Sequence, residues 1–571
     1  RMHPRILAVI VALAALTGSC ARAQHQQGAV AAELAQTPPT AEEMAAALEQ
    51  EKQTAQQARL QMEKTVSFSR KPASAPSGQP LYLREAVDLA LRENFGLQIT
   101  RYTPSIRADE VEAARADFDW NLSAAFSHTE SVSPQATSIL DGSRRPSGQG
   151  DSYGVTLSQK FITGGTVQVG SGFGRSENNS TNSILNPNYS STTGLRVTQP
   201  LLAGGGVDVN LAPVAIALSS YRQSKYELRK SILDLMADTE VSYWNLAATY
   251  QLRKLHETSV QLARSMLEEN RERARIGLAT HAEVLESEAY LAARLENIII
   301  AQQNIENAED TLRALLGTLS FESDRSISPA PLPQDDPGLP VFQEVVRRSL
   351  SQDYAYFVQQ EEIEKQRQRL LVARNANQPA FNVSAGMYGL GTDGAPWTSY
   401  RNSYEADGNN WNVGVALSMP VGFRAERADV RRAGKNLDVA NLRLAEIQQQ
   451  LMADVRKAWR SVAAGRQRRI TTLTSLELNL ESYQRQQAQY RAGIISLRDL
   501  LQAQTDLDNA RINNLQAAYD LIVADVRLKR LTGEILGRNG FSWVDVESQV
   551  NLDNASVEKL SVKSEPKSSQ P

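Results

Sequence analysis

Two short turns in this sequence place a hydroxyl three residues ahead of a carboxylate. Thr280 precedes Glu283 and Ser496 precedes Asp499, each shortly after a glycine, Gly277 or Gly493. A hydroxyl so placed accepts the amide of the first helical turn, while the carboxylate reaches back to the cap and suits the helix N-terminus. Asp499 fits the pattern loosely, since Glu or Gln is usual. Other reactive groups are sparse. The five histidines (His3, His25, His128, His256, His281) show no metal spacing, and His281 reads as a polar turn residue. The single cysteine, Cys20, excludes a disulfide framework and a multi-cysteine metal site. No phosphate-cradling loop, nucleophile elbow or paired-acid pattern stands out. Neither enzyme activity nor a cofactor or metal is expected.

The residues around these turns belong to long helices. Residues 214–276, 278–316, 435–464, 466–492 and 494–532 contain neither Gly nor Pro. Apolar residues recur within them at helical spacing, as in Leu285, Leu291 and Leu295. A helix over most of 208–276 would span roughly 100 Å at about 1.5 Å per residue. Nothing that long packs into a globule, and such helices need partners along their length, as in a coiled coil. The run Arg466-Gln467-Arg468-Arg469 reads as a solvated helix face.

The chain is written twice. Gly277 and Gly493, and Gly317 and Gly533, are each 216 positions apart. At that one offset Ala237-Asp238 meets Ala453-Asp454, Arg253 meets Arg469, and Arg275, Leu285 and Leu312 meet Arg491, Leu501 and Leu528. Shared helical composition does not explain an ungapped match of that length, and we read it as duplication. The expected organisation is a leader over 1–23, a polar extension and linker over 24–80, and a first repeat over 81–322 (strands near 118–202, helical hairpin near 208–317). A proline-rich linker over 323–340 leads to a second repeat over 341–540 (strands near 380–422, hairpin near 424–536). A polar tail over 541–571 is expected not to pack.

Ahead of each hairpin the period changes to two. Phe118, Trp120, Leu122, Ala124 and Phe126 alternate with small or polar residues, and so do Trp411, Val413, Val415 and Leu417. Tyr153-Val155-Leu157, Val167-Val169, Leu195-Val197 and Phe381-Val383 repeat the pattern. Residues 129–151, 176–191 and 389–410 read as long Ser/Asn/Gly loops, and Thr163-Gly164-Gly165 as a tight turn. A soluble sandwich has the same alternation. Two facts favour a membrane barrel: the second face is small and polar rather than charged, and a chain exported without a membrane helix can span only as a barrel. At most six strands are visible, too few for one chain to close a barrel. Trp411 and Tyr388 are candidates for an interfacial aromatic girdle.

The first residues read as an export signal: Arg1, His3 and Arg5, the apolar run Ile6–Leu16, then Ala21-Arg22-Ala23. That run is far short of the roughly 18 residues of a spanning helix. Cys20 lies at the cleavage zone, either as a lipidated first residue or discarded by cleavage after Ala23. Basic and acidic residues nearly balance (61 against 64) with no basic block, which argues against nucleic acid as the main partner.

In this order the segments resemble the TolC family of outer-membrane efflux and secretion channels. Leu83–Asn94 resembles the family's opening helix. Leu195–Pro200 and Val413–Pro420 resemble its strand-to-helix junctions, and Arg275–Thr280 and Tyr490–Ser496 its hairpin tips. The resemblance implies an α+β membrane protein, a homotrimer sharing one outer-membrane β-barrel that continues into a periplasmic α-helical tunnel. Family protomers usually supply four strands, so the hairpin Tyr153–Arg175 is either an external extension or an enlargement of the barrel. The resemblance further implies docking of a periplasmic adaptor at Arg275, Gly277, Leu278, Thr280, Arg491, Gly493 and Ser496, with energy from an inner-membrane RND- or ABC-type transporter. Glu283, Tyr490 and Asp499 match the family's closing network. Its basic partner falls on Ile495 and its second acidic ring on Gln502, with Arg498 as a substitute cation. The implied role is a passive exit duct for efflux in the outer membrane of a Gram-negative bacterium. A type I protein-secretion outlet and a soluble periplasmic coiled-coil scaffold are the alternatives.

Overall fold

Helices of this length hold together only side by side, and the computed structural model pairs them. It describes residues 53–54, 80–134, 145–319, 326–405 and 408–549, the side chains of the last three excepted. Apart from Gln53 and Thr54, these belong to one unit, Gly78–Pro571. The expected leader with Cys20, nearly all of the extension, and the tail from Val550 lie outside the described residues.

The chain runs β1 (Pro80–Leu81), α1 (Leu83–Glu93), α2 (Phe95–Ala116), β2 (Asn121–Val132), β3 (Ser147–Lys160), β4 (Thr166–Asn178) and β5 (Asn188–Pro200). The first hairpin is α3 (Val207–Arg275) and α4 (His281–Leu316). Then come β6 (Ser328–Pro329), α5 (Phe342–Gln352), α6 (Tyr354–Ala376), β7 (Ala380–Asp393), α7 (Pro396–Glu405) and β8 (Gly408–Ser418). The second hairpin is α8 (Arg424–Arg491) and α9 (Leu497–Thr532), followed by α10 (Ile535–Arg538) and α11 (Trp543–Gln549).

Six strands form one antiparallel sheet in the order β2-β3-β4-β5-β7-β8. The Tyr153–Arg175 hairpin is therefore part of this sheet, paired on both sides. The strands also run further than alternation alone indicates, into both ends of 129–151 and 176–191. Those ends are rich in Ser, Gly, Asn and Gln, which resembles loop composition, yet their amides pair across the ladder, as in Gly148↔Asn178 and Ser176↔Asn188. The segment 389–410 is likewise not one loop, because it contains α7 between two strand ends.

Register puts the apolar set on one face. Leu157 pairs Leu122 and Val169, Leu195 pairs Val169 and Met387, and Met387 pairs Trp411. That face is bare: Leu122, Met387, Trp411, Val413 and Val415 are all more than 60% exposed. Tyr388, one residue from Met387, lies on the other face over Gly194, so it does not share a girdle with Trp411. Period-two geometry makes that separation unavoidable.

The main core lies where α1, α3, α4 and α9 meet, around Val87, Met236, Leu246, Leu312 and Val526. Two expectations change here. Ser328–Pro329 of the proline-rich linker pairs with Pro80–Leu81, and the buried Tyr243 clamps both segments: its hydroxyl donates to Leu81 O and accepts from the Ala330 amide, each at 2.8 Å. The tail also begins inside the core. Phe541 and Val546 are buried, Trp543 meets Tyr354 edge-on at 5.8 Å, and Ser542 with Asp545 caps α11. Three apolar residues within six positions suffice to dock one short helix, although they are too few to show a period.

Candidate functional site

Both hairpins turn on the same local chemistry. Gly277 and Gly493 take φ of +77° and +76°, a left-handed conformation that costs a side-chain-bearing residue about 1–2 kcal/mol. That turn lets the Leu278 amide reach Arg273 O at 2.8 Å and the Ile494 amide reach Gln489 O at 2.9 Å, closing the ends of α3 and α8. The returning helices are capped reciprocally. Glu283 N–H donates to Thr280 Oγ1 at 3.3 Å while Thr280 N–H donates to Glu283 Oε2 at 2.6 Å. The Ser496–Asp499 pair does the same at 3.3 and 3.1 Å. The bounds of α4 and α9 coincide at the 216-residue offset, and both helices end on a left-handed glycine, Gly317 or Gly533.

The Ser496 hydroxyl and amide hold the Asp499 carboxyl below its ordinary range, and Arg498 adds to this through space. Asp499 and Arg498 are exposed, as are Arg275, Gly277, Thr280, Arg491, Gly493 and Ser496. Leu278 is 68% exposed and, with Ile276 and Ile494, makes the tips apolar where water bathes them. Arg275 pairs with Glu272 at 3.0 Å, and Arg491 lies 3.8 Å from Glu269 of the other hairpin.

Tyr490 is placed differently from the two carboxylates. It is buried between the hairpins, and its hydroxyl donates to Asn270 Oδ1 at 2.6 Å. Asn270 Nδ2 donates to Ser287 Oγ at 2.7 Å, and Ser287 Oγ donates to Glu283 O at 2.9 Å. The Arg273 guanidinium stacks 4.7 Å over the Tyr490 ring. Burial raises the Tyr490 hydroxyl's pKa, so it stays a donor at neutral pH. Within one protomer, then, Tyr490 is joined to Asn270, Ser287 and Arg273, while the Glu283 and Asp499 carboxylates serve their own caps. Sequence reasoning missed Asn270 and Ser287. The available signal was polar side chains at seam positions of otherwise apolar helix faces.

Higher up, Glu240 is fully buried on α3. Arg538 Nε donates to it at 2.7 Å and Asn539 Nδ2 at 3.2 Å, and Arg538 also pairs Asp525 of α9. This cluster ties α3, α9 and α10 together.

A sequence profile of the family described as outer membrane efflux protein matches residues 166–318 and 350–534, together more than half of the chain. The chain is 22% identical over 356 residues to the outer membrane efflux protein BepC of Brucella suis biovar 1 (strain 1330), covering 60% of this chain and 72% of that protein. It is 22% identical over 320 residues to the outer membrane protein TolC of Escherichia coli (strain K12), covering 53% of this chain and 62% of that one. Among solved structures, the Campylobacter jejuni CmeC outer membrane channel superposes with a TM-score of 0.60 at 18% identity, over 82% of this chain and 88% of that chain. These matches set aside the soluble scaffold. With its paired long hairpins and its apolar-faced sheet, the chain belongs to the outer membrane efflux protein family, non-enzymatic ducts of the Gram-negative outer membrane.

Proposed function

We propose that three copies of this chain form the exit duct of a tripartite efflux system, passive in itself, opened by a periplasmic adaptor and energised by an inner-membrane RND- or ABC-type transporter. The observation that carries the reading is the open sheet. Its edges, β2 and β8, have no partner strand among the described residues, and its apolar face is bare. Unpaired edges are not tolerated in hydrocarbon, so neighbours must complete the wall. Three six-stranded sheets make eighteen strands, an even number within the range of bacterial barrels.

The helices support the same assembly. Eighteen of the 36 residues of α9 are buried, against six of the 68 of α8. On α8, Leu442, Ile470 and Leu478 remain 60–70% exposed, a stripe suited to a neighbouring hairpin. At the tips, the exposed Ile276, Leu278 and Ile494 together with Arg275 and Arg491 offer an adaptor an apolar centre with a charged rim. A three-fold ring of Asp499 and Glu283 would select cations and close the tunnel, with Arg498 as the basic counterpart. The coinciding hairpin bounds fit descent from a duplicated unit.

The test is crosslinking from Leu278→Cys and Ile494→Cys in a Cys20→Ser background in cells, followed by identification of the captured protein. Capture of an adaptor with an RND- or ABC-type efflux pump is expected. Capture of a protein-secretion transporter would assign the duct to type I secretion, and capture of neither would remove the docking assignment.

A further inference from the structure

Helix α7 connects β7 to β8 at the end of the sheet remote from the helical hairpins, yet it does not stand above the strands. It lies flat against them. Ser399 and Ser403, one turn apart, are wholly buried against β5 and β7. Ser191 donates to Ser399 O at 2.5 Å, Ser399 Oγ donates to Gly391 O at 3.0 Å, and Thr193 and Ser403 share a hydrogen bond at 3.3 Å. The approach is as close as backbones allow: a β-carbon at Gly391 would collide with the Ser399 carbonyl, and one at Gly389 with that of Ser403.

Parity shows which face carries the helix. Gly389 and Gly391 follow Met387 at steps of two, and Ser191 and Thr193 precede Leu195 in the same way. The seat of α7 is therefore on the apolar outer face, directly beyond Met387 and Leu195, and not over the lumen. From this seat α7 turns aromatic residues outward. Trp397 is 75% and Tyr404 62% exposed, and Tyr400 lies between them with ring centroids 6.3 and 5.2 Å away.

On the neighbouring strands an aromatic row already steps across the same face. Phe126, Tyr153, Phe173 and Tyr189 follow one another at centroid distances of 4.9, 6.3 and 6.0 Å. The next residues of that face beyond Phe126, Tyr153 and Phe173 are His128, Asp151 and Arg175, with Asp151 hydrogen-bonded to His128 at 2.7 Å and 3.8 Å from Arg175, so the row stands at the polar limit of the apolar band. The row stops at β5, where the seat of α7 requires Gly and Ser. The α7 aromatics take it up there.

We infer that α7 is an interfacial helix that lies on the outer wall and places Trp397 and Tyr404 in the headgroup–acyl boundary of the outer leaflet. The partner is lipid. Amphipathic aromatic rings favour that depth, the surface is continuous with the apolar face, and the exposed charges Arg401 and Glu405 already neutralise each other at 2.7 Å. Because α7 sits over β5 and β7, both interior strands of the sheet, the edges β2 and β8 stay free for neighbours. The inference rests on the apolar face being the lipid face.

An environment-sensitive fluorophore on Trp397→Cys in a Cys20→Ser background, in the full trimer reconstituted in phosphatidylcholine vesicles, tests this. Nitroxide lipids labelled near the headgroup should quench it more than lipids labelled deep in the chain. A label on Ile184→Cys, at a site 96% exposed in the β4–β5 loop, should be quenched by neither. Gly391→Leu should abolish quenching at position 397 by lifting the helix, while a label on Val415→Cys stays quenched. Ser399→Leu repeats that test from the helix side. A label at 397 that behaves like the one at 184, or that is shielded from both lipid quencher and aqueous iodide, overturns the inference. Loss of quenching at 415 as well would mean that the lipid-face reading itself is wrong.

Discussion

The Tyr490 hydroxyl of one hairpin donates to Asn270 Oδ1 of the other across 2.6 Å, and through Ser287 that bond reaches the backbone carbonyl of Glu283. One buried relay thus joins both tips, a few residues from the turns that any untwisting must move. Removing Asn270 leaves two buried hydroxyls without this partner, at about 1–3 kcal/mol. If closure of the tunnel uses this relay, Asn270→Ala and Tyr490→Phe should shift the closed–open ratio towards open, by roughly 5- to 150-fold for that energy. Single-channel recording of reconstituted trimers measures it, and unchanged open probability in both variants would separate the relay from gating.

Asp499 predicts a pH dependence. Its cap holds the carboxyl's pKa below the ordinary value, so the cap's contribution is present above the unfolded value, about 3.9, and is lost as pH falls through the folded one. Cation preference arising from Asp499 should therefore be flat down to about pH 5 and decline only below about 4. Asp499→Asn and Glu283→Gln should weaken it already at neutral pH. A midpoint above about 4 would show that three carboxylates approach closely enough to raise one another, overruling the cap as the governing contact.

The buried Glu240–Arg538–Asp525 cluster makes a stability prediction independent of gating. Arg538→Ala leaves the fully buried Glu240 carboxylate without its cation, while Asp525 keeps Lys529 at 3.0 Å, so the loss, on the order of 3–5 kcal/mol, falls on Glu240. The expected outcome is a lower thermal midpoint with normal conductance at low temperature. A variant as stable as the parent would mean that water compensates the pair.

How much of this was legible beforehand follows from interaction range. Hairpin turns and caps depend on residues within three or four positions, and Gly277, Thr280 and Glu283 stand in the sequence as they stand in the structure. Period-two alternation likewise marked one face of Leu122–Phe126 and Val413–Leu417. That Asn270 is the partner of Tyr490 is not legible, because the two lie 220 residues apart and a polar residue at a seam position signals a buried bond without naming what it bonds. Nor was the seat of α7: Ser399, Ser403, Gly389 and Gly391 have loop composition, and only close backbone packing gives those small residues a purpose. Phe541 and Val546 read as tail in the sequence because the core that buries them is built by residues far away in the chain.

Facing along β8 is open to a direct comparison within one strand. Val415 shares its face with Val413 and Leu417 and pairs Val383, whereas the adjacent Ala416 pairs Asn382 on the small, polar face. A lysine on the lipid side near mid-membrane costs about 2–4 kcal/mol, while lumen positions tolerate charge. In the proposed trimer, three copies multiply the difference. Val415→Lys should therefore lower the temperature at which detergent-resistant trimers dissociate and reduce outer-membrane yield. Ala416→Lys should leave both near the parent and instead reduce cation preference by adding positive charge to the lumen. If the two effects were exchanged, the register would have to shift by one residue, turning every side chain of β8 to the opposite face.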